Sequence, residues 1–333
     1  MMNVLSKCIA IACLPLASLG AQAQIASLGR CSLEAGGVIE DCRLVYRTFG
    51  TLSADRRNAI LIPTWFGGHI DDWITFFGPT GMIDTTAYYV VVVQSLGSAP
   101  SSAPSNSPAL RERDVSVGDM VEAAYRLAHE HLQLPELSAV VGISLGGFQA
   151  FEWGVAHPGY VRRVVAIGGT PRQAFYARAI WELIGGAARD GATGRIARDS
   201  ALATIARLMV LGLSSPASVN RRNPSSYGAY LAGQIRDLHD VDLAEWAMLS
   251  RASLRYDVAR RFGGNLQNAA GVWTARSMVI VAEADHVVDA PPALEFARLI
   301  NAETLTLPSI GGHSALFGGS AEKAAVRRWL TPQ

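Results

Sequence analysis

The stretch "VVGISLGGFQAFEW", residues 140 to 153, constrains the fold more than any other part of the chain. A run of apolar, β-branched residues, "SAVVG", reads as a buried strand, and a helical pattern begins within a few residues of it. The chain must therefore turn from strand to helix at Gly142-Ile143-Ser144-Leu145-Gly146, a G-x-S-x-G pentapeptide. In that context the motif is a nucleophile elbow. The turn is so tight that flanking side chains would collide, hence glycine at 142 and 146. The Ser144 hydroxyl then stands clear of the carboxyl ends of the strands, beside a helix amino terminus whose dipole favours negative charge. The pentapeptide alone is weak, and the strand before it with the helix after it makes it strong.

Around this turn, valine- and isoleucine-rich runs alternate with helical periodicity, the pattern of an α/β fold with parallel strands covered by helices. Strands are expected at 58–63, 88–94, 138–143, 163–167, 277–282 and 303–307. The clearest helix starts at Ser116, with an apolar stripe of Val117, Met120, Val121, Ala124, Leu127, Ala128 and Leu132, and Ser116 and Asp119 resemble a capping box. Further helices are expected over 146–156, 292–299 and 321–330. Between 168 and 277 the alternation lapses into Ala- and Arg-rich helical pieces, which reads as an inserted helical lid over residues 171–270. The core halves are then 24–170 and 271–333. "GSAPSSAPSNSP", 97–108, reads as a surface connector.

A serine hydroxyl is a poor nucleophile unless a base takes its proton and a carboxylate holds that base in the right tautomer. In this fold class the order along the chain is serine, acid, histidine. Just past the strand in "SMVIVAEADHVV" lies Asp285, with Glu283 and Asp289 as rivals. Of the histidines after Ser144, His157 ends the elbow helix, His239 lies in the insertion and His286 is pinned beside the acid. His313 follows the last strand in "SIGGHSALFGG", where two glycines let the backbone carry the ring toward the serine. Oxyanion donors are expected from the amide of Leu145 and from the loop after "NAILIP", where the amide of Trp65 is favoured. Phe66, Tyr176, Trp181 and Met209 are candidates to line the acyl pocket.

The chain opens with Lys7, an apolar run from Cys8 to Leu19 and Ala21-Gln22-Ala23, the pattern of a secretory signal peptide over residues 1–23. About 12 apolar residues are too few to span a bilayer that needs roughly 20, so no stable membrane anchor is expected. Without Lys7 the 29 basic residues become 28 against 28 acidic ones. Neutrality and the lack of like-charge runs argue against nucleic acid as partner. Cys8 and Cys13 leave with the signal, and Cys31 and Cys42 form an even pair in an exported chain, separated by a Gly36-Gly37 turn. A disulfide is expected. No cysteine has metal-site spacing, and neither metal nor cofactor is expected. With half of its 333 residues hydrophobic and 17% charged, the chain can fill a large core.

The chain resembles the homoserine O-acetyltransferase-like branch of the α/β-hydrolase superfamily. The resemblance is carried by "LVYRTFGTLSADRRNAILIPTWFGG", "VSVGDMVEAAYRLAHEHLQL", "VVGISLGGFQAFEWGVAHP", "LRYDVAR", the Asp285 loop and "GGH" at His313. It implies a mostly parallel sheet of about eight strands, a helical lid after the sixth, the triad Ser144, Asp285 and His313, and a homodimer. The acetyltransferases carry Gly-Gly-Ser-Met-Gly-Gly at the elbow and Asn-Val-Leu-Gly-Gly-Cys after the strand at 88–94. This chain has Gly142-Ile143-Ser144-Leu145-Gly146-Gly147 and Gln94-Ser95-Leu96-Gly97-Ser98-Ala99. An exported enzyme would not meet acetyl-CoA, so water is the expected acceptor. The expectation is a periplasmic or secreted serine hydrolase acting on a small-molecule carboxylic ester, with amides and thioesters within reach of the same chemistry. The alternatives are an O-acyltransferase working through the same acyl-serine and a non-catalytic binding protein on this fold.

Overall fold

The computed structural model describes residues 22–78, 80–308 and 310–331. Residues 1–21, which hold all but the end of the expected signal peptide, lie outside the described residues. Among the described residues one eight-stranded sheet runs through the molecule in the order β1-β2-β4-β3-β5-β6-β7-β8. The strands are β1 (Gln24–Ser32), β2 (Val38–Phe49), β3 (Ala59–Pro63), β4 (Tyr89–Val93), β5 (Ala139–Ile143), β6 (Arg163–Ile167), β7 (Arg276–Ala282) and β8 (Glu303–Leu307). β1, β2 and β4 pair antiparallel, and every pair from β4 onward is parallel.

Because successive side chains of a strand point to opposite faces, each central strand feeds two cores. Val91, Val93, Val140 and Val164 enter one; Val90, Val92, Val141 and Val165 enter the other. That is why these strands read as unbroken apolar runs. β1 and β2 form a hairpin around the Gly36-Gly37 turn, and Cys31 and Cys42 are joined by a disulfide with Cα atoms 5.7 Å apart.

Two helices pack side by side on one face of the sheet. In α1 (Val117–Arg126) the box is formed as expected: the Asp119 amide donates to Ser116 Oγ at 2.9 Å, and the Ser116 amide donates to Asp119 Oδ2 at 2.8 Å. Its stripe continues into a single π-helical turn at 127–131. The elbow helix α2 (Leu145–Ala156) is buried along nearly its whole length. Glu152 on α2 is fully buried and accepts from both terminal nitrogens of Arg260 at 2.7 Å, and Arg260 also reaches Glu34 in the β1–β2 turn at 2.6 Å. Burial alone would raise the Glu34 carboxyl, but hydrogen bonds from Arg260, Ser116 and Arg261 pull it down to about 2.

Between β6 and β7 the chain is helical, with α3 (Phe175–Ala192), α4 (Arg198–Leu213), α5 (Tyr227–Asp237) and α6 (Leu243–Arg255). Two more helices, α7 (Ala290–Leu299) and α8 (Ser320–Leu330), cover the last strands. One expectation fails here. The segment 97–108 is no surface connector: Gly97, Ser98, Ser101, Ser102, Ala103 and Ser107 are buried. Short hydroxyl side chains make this affordable, since Ser101 Oγ accepts from the Val45 amide at 2.8 Å and Ser102 Oγ from the Arg43 amide at 2.9 Å. The segment thereby satisfies backbone groups along β2 that its composition alone gave no reason to assign to it.

Candidate active site

Ser144 sits between β5 and α2 with φ 57° and ψ −122°. A non-glycine residue there stores about 1–3 kcal/mol of backbone strain. Its amide donates to Ile167 O at 2.9 Å and its carbonyl accepts from the Phe148 amide at 3.1 Å, which pins the turn. The glycines are required by contact. A Cβ on Gly142 would come within 1.9 Å of Gly146 O, one on Gly146 within 2.8 Å of Pro63 O, and one on Gly147 within 2.8 Å of Gly169 Cα. Gly147 thus lets α2 approach the end of β6, a role beyond the pentapeptide itself.

Asp285 and His313 meet in the interior. His313 Nδ1 lies 2.5 Å from Asp285 Oδ2, and both side chains are buried. Asp285 Oδ1 accepts from the amides of Val287 and Val288 at 3.0 and 2.9 Å. The carboxylate is therefore held from one side while its other oxygen faces the imidazole. Gly312, at φ 64°, is packed against Ala284 O, Leu213 O and Ser215 N, where a Cβ would come within about 3 Å of each. Gly168 leaves room for the ring, since a Cβ there would lie 3.2 Å from His313 Cε1.

Ser144 and His313 face the same cavity, of about 350 Å³. Trp65, Phe66, Gly67, Trp181, Met209, Leu213, Trp246, Ser314 and Phe317 complete its lining. His313 is the one ionisable side chain among them. The other histidines after Ser144 lie elsewhere: His157 stacks on Tyr125 with Glu122 at 3.3 Å, His239 is exposed beside Asp240, and His286 lies near Tyr176. Of the rival carboxylates, Glu283 is exposed. Asp289 is half-buried, its carboxyl pushed up by burial and by the charge of Asp285.

Three expected pocket residues line the cavity, namely Phe66, Trp181 and Met209, together with Trp65. Tyr176 does not. It is 58% exposed, because α3 turns Ala177, Trp181, Ile184 and Ala188 inward, and a residue five positions before Trp181 points well away from that stripe. Trp246, Leu213 and Phe317 were missed. Phe317 carried a local signal, lying one helical turn after His313 in the same loop. Trp246 carried none, since its place depends on α6 docking beside the 64–68 turn. The Phe66 ring lies 4.8 Å from both Trp181 and Trp246, so the turn and two inserted helices share one aromatic wall.

Residues 58–320 match the family model of the alpha/beta hydrolase fold. The chain belongs to the α/β-hydrolase fold family. This α/β hydrolase is 30% identical over 318 residues to an ethyl acetate hydrolase of Pseudomonas veronii, covering 90% of the chain and 91% of that protein. It is 40% identical over 155 residues to a Corynebacterium glutamicum protein named "Probable esterase Cgl0839", a match that spans 45% of this chain and 44% of that protein. Among solved structures, the acetyl esterase MekB superposes with a TM-score of 0.86 at 28% identity, covering 94% of this chain and 97% of that one. Homoserine O-succinyl- and O-acetyltransferases also align, at 37% and 35% identity over 42% and 45% of the chain. The relatives of this hydrolase-fold enzyme are thus esterases and acyltransferases. Among the described residues no group of three or more His, Cys, Asp or Glu is placed to hold a metal ion, and no helix is long and apolar enough to cross a membrane.

Proposed function

We propose that this protein is a serine hydrolase that cleaves small carboxylic esters through an acyl-serine intermediate. The observation that carries the reading is the elbow serine facing, across one uncharged aromatic cavity, a histidine braced by a buried carboxylate. Ser144 Oγ attacks the ester carbonyl carbon while His313 Nε2 takes its proton, and Asp285 keeps the other ring proton on Nδ1 and stabilises the imidazolium. The amides of Leu145 and Trp65 receive the oxyanion; the first amides of a helix have no intrahelical acceptor, which leaves Leu145 free for this task. His313 then protonates the departing alcohol. Water, deprotonated by the same ring, attacks the acyl-serine and releases the acid. A cavity near the lower end of the usual ligand-pocket range, walled by five aromatic rings, suits short or compact acyl groups.

The helices between β6 and β7 act as the lid over this cavity, and the N-terminal segment and the cysteine pair fit an exported protein. Acyl transfer is the second reading, favoured by the homoserine acyltransferase relatives. Homoserine brings a carboxylate and an ammonium, however, and the lining offers no charged partner for either. A chromogenic acetate ester supplied with and without homoserine or serine separates the two: free acid at an unchanged rate supports hydrolysis, whereas O-acyl product would overturn it. Ser144→Ala is expected to lower turnover by more than about a thousand-fold while leaving the folded state intact. Unchanged turnover in that variant would move the nucleophile elsewhere.

A further inference from the structure

Behind the 64–68 turn lies a cluster of buried polar side chains that the catalytic reading does not use. Thr64, Gln94, Ser95, Ser98 and Gln149 are all between 0 and 7% exposed. Gln149 Nε2 donates to Ser95 Oγ at 3.0 Å and reaches Thr64 O at 3.5 Å. Ser95 Oγ donates to Thr64 O at 3.2 Å, and the Ser95 amide donates to Thr64 Oγ1 at 3.1 Å. Gln94 Nε2 donates to Ser98 Oγ at 2.9 Å and to Gly68 O at 3.0 Å. Both ends of the turn are therefore held through their carbonyl oxygens, with the amides of Trp65, Phe66 and Gly67 lying between. The Gly68 amide closes the turn on Trp65 O at 3.0 Å.

We infer that Gln149 and Gln94 are positioning residues that clamp the oxyanion turn at its two ends. Gln149 stands on α2, about one turn beyond Leu145, so it ties the donor at the start of that helix to the donor in the 64–68 turn. The two halves of the oxyanion site then move as one body, and a preorganised dipole stabilises developing charge without rearranging during the reaction. A buried polar network rigidifies its surroundings when its members are satisfied. The segment from Gln94 to Ala99, where this chain departs from the acetyltransferase pattern, supplies Gln94, Ser95 and Ser98. Displacing a donor by even a fraction of an ångström weakens transition-state binding more than substrate binding.

The inference rests on the assignment of Ser144 as nucleophile and of the Trp65 amide as donor. It is tested with Gln149→Met and Gln94→Met, which keep side-chain length and remove the amide. Rates are normalised to sites titrated with a fluorophosphonate, and affinity is measured for an aryl trifluoromethyl ketone, which forms an oxyanion when serine adds to it. The expected result is a fall in kcat of about 10- to 100-fold per titrated site, an equal loss of ketone affinity, and little change in KM. Should a Met variant fail to fold, Ser95→Ala removes only the hydroxyl between Gln149 and Thr64 O and is expected to show the same pattern, reduced to about threefold to tenfold. Full kcat per titrated site and full ketone affinity in the variants, with a wild type that the ketone inhibits tightly, would overturn the clamp and leave the hydrolase reading standing. So would a loss of activity that follows only the fraction of titratable sites or the fall in Tm. A wild type that neither reacts with the fluorophosphonate nor binds the ketone would overturn the nucleophile assignment itself.

Discussion

Asp285→Asn is the substitution whose outcome the geometry fixes most tightly. Asp285 Oδ1 accepts from two backbone amides, those of Val287 and Val288. The new side-chain amide has one oxygen, and it must stay on those two N–H groups, because turning the NH2 toward them would orphan two buried donors at about 1–3 kcal/mol each. The NH2 therefore faces His313 Nδ1 and forces that nitrogen to accept. The ring proton moves to Nε2, the position that has to take the proton of Ser144. A triad histidine in the wrong tautomer loses about four orders of magnitude in kcat, equivalent to about 5 kcal/mol on the barrier at about 1.36 kcal/mol per decade. The folded state keeps both backbone bonds, so Tm is expected to fall by only a few degrees. Hydrolysis of a chromogenic acetate ester at pH 8, with thermal unfolding followed by circular dichroism, measures both. Asp289→Asn is the control, expected to stay close to wild type. If Asp285→Asn kept more than about a tenth of the wild-type kcat/KM, the role given to this carboxylate would be wrong.

Trp246→Ala removes one wall of the cavity and is expected to move the preferred acyl chain to longer homologues. Each additional buried methylene contributes about 0.8 kcal/mol, or roughly fourfold in kcat/KM, and an unchanged chain-length profile from acetate to octanoate would take Trp246 out of the acyl site. Glu34, whose carboxyl is held at about 2 in the folded state against 4.5 for the free group, contributes stability that is full above pH 4.5 and is lost as the pH falls toward 2. Glu34→Gln should accordingly lower Tm at pH 7 and cease to matter near pH 2, whereas a Tm deficit independent of pH would exclude the ion-pair explanation. Replacing both Cys31 and Cys42 with serine opens a loop with a sequence separation of 11 and is expected to cost about 3 kcal/mol of stability. Turnover at 25 °C should persist, since β1 and β2 lie at the sheet edge, with β4 and β3 between them and β5; a parallel loss of kcat would contradict that separation.

The central sheet was legible because its information is local. β3 to β7 are short and largely apolar and β8 is a short alternation of polar residues and leucine, so their expected bounds fall within one residue of those observed. The box at Ser116 and Asp119 could be read for the same reason, as could the elbow, where each glycine answers to a backbone atom close in sequence or on the adjoining strand end. β1 and β2 offered less. β1 is largely exposed between its buried positions, and β2 is broken by the charged residues Glu40, Asp41, Arg43 and Arg47, so neither reads as an apolar run and only the turn between the cysteines marked the hairpin. The segment at 97–108 was misread because serine, proline and alanine describe a flexible surface loop equally well until their partners on β2 are known.

The cavity beside Ser144 and His313 was legible only in part, and the reason is physical. Phe66, Trp181 and Trp246 come from a turn after β3 and from two helices far along the chain, and no periodicity in one segment records which face of another it will meet. Their packing also couples the wall to the chemistry. The Trp181 indole N–H donates to Val287 O at 2.9 Å, and the amide of that same residue donates to Asp285 Oδ1 at 3.0 Å. The peptide between residues 287 and 288, whose N–H also donates to Asp285 Oδ1 at 2.9 Å, is thus itself held by a residue of the cavity wall. A change at Trp181 should therefore alter both chain-length preference and kcat, whereas a change at Trp246, which packs against the Phe66 ring and Gly67, should act mainly on preference. Replacing Trp181 with benzothienylalanine keeps a bicyclic ring and loses the N–H, so a fall in kcat without a shift in preferred chain length would isolate the link from the inserted helices to Asp285.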